Sequence, residues 1–186
     1  IEMLGKIFIL SIFALSLNLL VGVTGLVSLG HAAYFGVAAY AAALLTPKAA
    51  VVSIWMLLPA SILISTVTAI LVGIFALRTK GIYFIMVTLA FSQLFFYIFH
   101  DTDAGGGSDG IYLNSKPTVN IGDFTLIDLG AEGRIYYVLL ASLVLIYLFL
   151  KAILRSPFGK VLQGIKSNEQ RMVSMGYATF NYKLAA

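Results

Sequence analysis

The stretch Gly22-Val23-Thr24-Gly25-Leu26-Val27-Ser28-Leu29-Gly30-His31-Ala32-Ala33-Tyr34-Phe35-Gly36 lies within a run from Ile7 to Pro47 that contains no Asp, Glu, Lys or Arg. Such a run is long enough for two passes through hydrocarbon, and the glycines at 22, 25 and 30 mark where a helix would break between them. Backbone groups freed at the break need partners, and Thr24, Ser28 and His31 stand beside the glycines to supply them. Ser28, Ala32 and Gly36 fall four apart, which predicts a stripe of small residues that a neighbouring helix can approach closely. His31 is ionisable inside an apolar segment, so it reads either as a satisfied structural histidine or as a residue facing a wet pathway. The stretch decides the fold because it is intelligible only in a bilayer.

The remainder of the chain agrees. Its 186 residues are 60% hydrophobic and 11% charged, against about 25% charged in soluble domains. The mean hydropathy of +0.98 exceeds what one buried core of this size can hide. Only 4 prolines and no cysteine are present, which excludes collagen-like, disordered and disulfide-stapled scaffolds and any Cys-ligated metal. Further uncharged gaps predict spans at Ile7 to Val27, Val51 to Leu77, Ile82 to Phe99 and Ile135 to Leu154. The Ala-rich piece His31 to Leu45 is either a fifth, short span or a re-entrant half-helix ending before Thr46-Pro47, and the span is the preferred reading. The expected fold class is therefore all-α: a polytopic helix bundle of about five hydrophobic segments forming one transmembrane domain over residues 1–186.

Orientation follows from the Lys and Arg of short loops. Arg78-Thr79-Lys80 and the tail with Lys151, Arg155, Lys160, Lys166, Arg171 and Lys183 are basic, whereas residues 100–134 hold six acids against Lys116 and Arg134. Residues 100–134 are expected outside, the tail inside, and Ile1 outside. The net charge of +4 thus reports lopsided loops, not nucleic-acid binding.

Two motifs test for chemistry. Gly105 to Gly110 spells G-x-G-x-x-G, but no strand–turn–helix unit surrounds it, so it reads as a turn and not a dinucleotide site. A G-x-x-x-x-G-K-[ST] phosphate loop is missing from the sequence, so the chain is not expected to be an enzyme or to hydrolyse ATP; any energy comes from a partner. Asn18, Thr88, Ser92 and Gln93 are polar within the spans; Asn18 and Gln93 either bond across helices or line a pore, and inter-helix glue is the preferred reading. After Ser156-Pro157 the tail predicts two short helices with Val161, Leu162, Ile165, Met172 and Val173 at helical spacing. Ser167 with Gln170 suggests a capping box and Gly176 a helix end. By its physics this basic amphipathic element fits an anionic lipid surface or a partner protein equally well.

Taken together these motifs resemble the permease subunits of branched-chain amino acid ABC importers. The family block G-x-x-G-x-x-S-L-G-H-A-A-F-F-G-x-x-A-Y is matched from Gly22 to Tyr40, with Tyr34 for a usual Phe and Ala38 for a common Gly. R-x-x-G-x-Y-F-x-M-x-T-L-A-F is matched by Arg78, Gly81, Tyr83, Phe84, Met86 and Thr88 through Phe91. Gly106, Gly107, Asp109 and Gly110 match a G-G-x-[DN]-G loop, with Gly105 where Thr is common. The tail is similar to the coupling loop through Gly159, Ile165, Asn168, Glu169, Gly176 and Tyr177, with Gly164 and Met172 replacing alanines and Lys166 an Arg.

The resemblance implies an inner-membrane, multi-pass subunit that pairs with a second permease. A cytoplasmic coupling loop over 155–181 would be gripped by ATP-binding subunits, which alone use ATP, and an external solute-binding protein would deliver a small-molecule substrate. Glu169 and its neighbours would transmit ATPase closure, and Ser28, His31 and Thr88 are the candidates for the solute path. No cofactor or nucleic acid is implied, and the only other partner is membrane lipid. The family also expects helices after Ala186, which makes the sequence a fragment of a longer permease. Alternatives are a urea or amide importer of the same kind, or a secondary transporter or channel without an ATPase. The second of these would be favoured by intramembrane acids, which the spans lack.

Overall fold

The computed structural model describes residues 2–46, 54–102, 106, 107, 110, 111, 119–121, 124–127 and 132–186. Helix α1 (Glu2–Leu17) continues as a π-helical segment, Asn18–Val23, and stops. Then come α2 (His31–Leu45), α3 (Ile54–Ala76), α4 (Ile82–Asp101), a small antiparallel pair β1 (Val119–Ile121) and β2 (Phe124–Ile127), and α5 (Glu132–Arg155). Three short helices end the chain: α6 (Pro157–Ser167), α7 (Glu169–Ser174) and α8 (Thr179–Ala185). Among the described residues four stretches are long and apolar enough to cross a membrane, Met3–Val23, Met56–Ala76, Ile82–Asp101 and Ile135–Arg155, with His31–Leu45 a shorter apolar helix. The all-α bundle is therefore as expected, apart from the hairpin, whose short strands give no clear alternation to read.

Helix is the form these segments must take, because hydrocarbon offers the backbone no other partner. Their few hydroxyls are satisfied the same way. Ser11, Ser61, Thr66 and Thr68 each donate to the carbonyl four residues back, which hides the polar atom within its own helix. Large apolar side chains such as Leu63, Leu71, Leu145 and Phe149 remain more than half exposed, as a surface solvated by lipid requires.

The chain forms two units, residues 1–28 with 135–186 and residues 29–134. In the first, α1 and α5 run parallel. Phe8 meets Tyr136 with ring centroids 5.3 Å apart near one end, and Val23 and Leu154 line one recess near the other. Between the helices lies an apolar groove of about 570 Å³ whose lining includes Ser11, Asn18, Val144 and Tyr147. At the end of α5 the chain turns sharply into α6. Ser156 caps α6 by accepting from the Gly159 amide at 3.4 Å, and Pro157 takes the first helical position, where its missing N–H costs nothing. Gly159 lies so close to α5 that a Cβ there would stand 2.7 Å from the Leu154 carbonyl oxygen. Leu162 and Ile165 are buried beneath.

In the second unit α2 and α3 are antiparallel, with Ser65 Oγ donating to the Tyr34 carbonyl at 3.2 Å. Helices α2 and α4 are parallel. Tyr40 stacks on Phe99 at 4.3 Å near their C-terminal ends, and the start of α2 touches Thr88. Val37, Ala41, Val72, Ala76 and Phe84 are buried in this unit.

Two expectations are corrected. The first span ends at Val23, not Val27, because the chain turns into the left-handed region at Gly25, φ +75°. Consequently Ser28 lies outside α2 and shares no helix face with Ala32 and Gly36. A Cβ at Gly36 would meet nothing within 4 Å, so no close helix contact is made at that position.

Candidate functional site

The interruption between the π-helical segment and α2 is the first candidate. A π-helix carries an extra residue per turn, and such segments cluster where a helix has been adapted for a task. Here the Thr24 amide bonds the Leu19 carbonyl and the Leu26 amide the Leu20 carbonyl, while the Thr24 hydroxyl also donates to Leu20. Thr24 and Ser28 are both buried, whereas Val27 and Leu29 turn outward, so the polar side chains of the non-helical strand are shielded.

Where α2 begins, α4 closes in on it. The Leu29 amide donates to Thr88 Oγ1 at 3.3 Å, and that hydroxyl donates in turn to the Ile85 carbonyl at 2.9 Å. Thr88 is 2% exposed. Gly30 allows the approach, since a Cβ there would stand 2.7 Å from the Thr88 carbonyl oxygen. His31 is half-buried and edges onto the Tyr34 ring at 6.4 Å. Of the three residues named for the solute path, His31 and Thr88 thus flank one helix start in the second unit, and Ser28 belongs to the first unit. In this conformation Thr88 holds backbone and does not line open space.

The second candidate is the set α6–α8. Asn168 caps α7, its side chain accepting from the Arg171 amide at 3.0 Å. This corrects the Ser167–Gln170 capping box: Ser167 is still helical in α6 and donates to the Gly164 carbonyl, whereas Asn168 is extended and free to cap. Gly176, at φ +88°, ends α7 as foreseen. Its amide bonds Val173, and the Tyr177 amide reaches back to Met172, the paired bonds of a Schellman motif.

Glu169 turns inward. Its Oε1 accepts from Lys183 Nζ at 2.6 Å and from Thr179 Oγ1 at 3.4 Å, which ties α7 to α8 through a lysine only 13% exposed. Gly164 and Met172 meet directly, with a Cβ at 164 placed 2.8 Å from the sulfur. Val173 on α7, Phe180 on α8, and Met175 and Tyr177 in the turn between them stay exposed. Of the six tail residues named from sequence, Gly159 and Ile165 are buried, Asn168 and Gly176 set the helix ends, Glu169 is in an ion pair, and Tyr177 is exposed. Lys183 went unrecognised, since charge spacing alone does not say which lysine folds back.

The glycine loop lies only partly within the described residues. Gly106, Gly107 and Gly110 all adopt positive φ, as glycines in a turn do; Gly105, Ser108 and Asp109 are outside the described residues.

Residues 1–186, the whole sequence, match the family described as branched-chain amino acid transport system / permease component. The chain belongs to that family. It is a multi-pass membrane protein, as the family and its four spanning-length helices together require. Similar proteins are the high-affinity branched-chain amino acid transport system permease protein LivM of Salmonella typhimurium and that of Escherichia coli. Each is 29% identical over 194 residues, covering 94% of this chain and 45% of theirs. The chain thus spans less than half the length of these curated relatives. No solved structure matches it.

Proposed function

We propose that the chain is part of the permease subunit of an ATP-driven importer of branched-chain amino acids in the inner membrane. Its other components are a second permease, cytoplasmic ATP-binding subunits and an external solute-binding protein. The observation that carries this reading is the tail. Three short helices are locked together by the Glu169–Lys183 pair and the Gly164–Met172 contact, and they present Val173, Met175, Tyr177 and Phe180 outward. A rigid element with an exposed apolar edge suits a protein partner better than a helix lying loose on lipid. In this reading residues 155–181 receive the ATPase, residues 100–134 face outside, and solute passes near Ser28, His31 and Thr88 when the bundle rocks open.

The direction of the helices supports the number of crossings in this reading. α1 and α5 run parallel, so an odd number of crossings separates them, and α2, α3 and α4 supply three.

The test is transport by the full-length permease reconstituted with its second permease, ATPases and binding protein in vesicles of bacterial lipid. Labelled leucine is expected to accumulate only with ATP on the ATPase side and binding protein on the other. Uptake that ignores ATP and collapses with a proton ionophore would replace the importer with a secondary transporter, and competition by urea but not by valine would move the solute class.

A further inference from the structure

One lysine joins the two candidate sites. Lys166 stands in the last turn of α6, and its Nζ donates to the Gly22 carbonyl at 2.7 Å. That carbonyl belongs to the π-helical segment, next to the point where the first span breaks. The lysine stem lies across Gly25, where a Cβ would approach Lys166 Cγ to 3.0 Å. A cation at a helix C-terminus is favoured both by the exposed carbonyls and by the helix dipole. The two earlier carbonyls, Leu19 and Leu20, are taken by the Thr24 and Leu26 amides, while Gly22 is served by a side chain 144 residues away in sequence.

The other face of α6 is equally committed. Gly159 seats its start on α5, and Met172 of α7 fills the space over Gly164. Leu162 and Ile165 are buried under it. A displacement of α7 and α8 is therefore passed to α6, and α6 reaches the break through Lys166.

We propose that Lys166 is a positioning residue that couples movement of α6–α8 to the π-helical break at Gly22–Gly25, and through the continuous chain to the start of α2. The inference rests on the reading of α6–α8 as the ATPase-receiving element. Lysine serves here because a flexible four-carbon stem can lie flat over Gly25 and still deliver its charge to the carbonyl.

The test compares Lys166→Met, which keeps the stem and loses the donor, with Lys166→Arg, which keeps the charge, in the full reconstituted assembly. Leucine uptake and ATP hydrolysis are read in the same vesicles. Amide exchange over residues 20–30 is measured on the purified complex. Lys166→Met is expected to lower the uptake-to-hydrolysis ratio by about fivefold, within the range for substitutions along a coupling path, and to speed exchange in that segment; Lys166→Arg is expected to restore both. An unchanged ratio in Lys166→Met overturns the proposal, and so does a fall in uptake and hydrolysis together, which would mark an anchor without coupling. If Lys166→Met does not assemble, Lys166→Gln is read by the same two measurements. Wild-type vesicles that take up leucine without ATP would remove the importer reading. The exchange comparison would then still decide the contact, and unchanged exchange would overturn it.

Discussion

At Gly30 a single missing side chain sets the distance between two helices. The Thr88 carbonyl oxygen would lie 2.7 Å from a Cβ, and that oxygen belongs to helix backbone, which cannot step aside as a flexible side chain does. Gly30→Ala should therefore push the start of α2 away from α4 and stretch the Leu29–Thr88 bond, already 3.3 Å long. Overpacking of this kind costs about 1–3 kcal/mol, and a lowered melting temperature in detergent measures it. Gly36→Ala is the control. Its Cβ meets nothing within 4 Å, and alanine inside a helix gains roughly 0.8–1 kcal/mol over glycine, so its melting temperature should hold or rise. The sequence showed that glycines crowd this region but could not rank them. Gly30 and Gly36 look alike in a motif and differ only by what stands opposite, which is a fact of tertiary packing.

The C-terminal helices raise the same point for charges and sizes. Their apolar spacing was legible, and Leu162 and Ile165 are buried as that spacing required. The cap was displaced by one residue, because Ser167 and Asn168 are both good capping types and only the backbone angles choose between them. Gly164 and Met172, which the resemblance sets in place of two alanines, meet across α6 and α7, the larger side chain over the glycine. Glu169 is the sharper case. Its carboxylate is spent on Lys183 and Thr179, so it shapes the element before it can signal to anything. Glu169→Lys should set two cations together against a largely buried lysine and cost on the order of 3 kcal/mol. Association with the ATPase subunits, followed by co-purification, is expected to drop with it. The exchange Glu169→Lys with Lys183→Glu restores the pair and should recover most of that association. A double variant as weak as the single one would mean instead that Glu169 touches the ATPase itself.

Over the whole molecule, the open question in the sequence was whether fifteen residues from His31 to Leu45 complete a crossing. At 1.5 Å per residue they reach roughly 22 Å, short of the ~30 Å of hydrocarbon. We propose that α2 nevertheless crosses, and the geometry around it supports this. α2 lies parallel to α4 from Thr88 to Phe99, so it begins six residues past Ile82, roughly 9 Å along α4. The non-helical strand Thr24–Gly30 then carries the chain over the remaining depth. Independently, parallel α1 and α5 require an odd number of crossings between them, whereas a re-entrant α2 would leave two and make the pair antiparallel. Length and hydropathy do not bear on this, because they count residues and not directions. The consequence can be measured with single cysteines in a chain that has none of its own. Thr46→Cys and Ser108→Cys should both react in intact cells with a membrane-impermeant maleimide, and Lys80→Cys only after the membrane is opened. If Thr46→Cys and Ser108→Cys are instead reached from opposite faces, α2 does not cross beside α4. If both react only after the membrane is opened, and Lys80→Cys reacts already in intact cells, the bundle is inverted and the α6–α8 element lies out of reach of any ATPase.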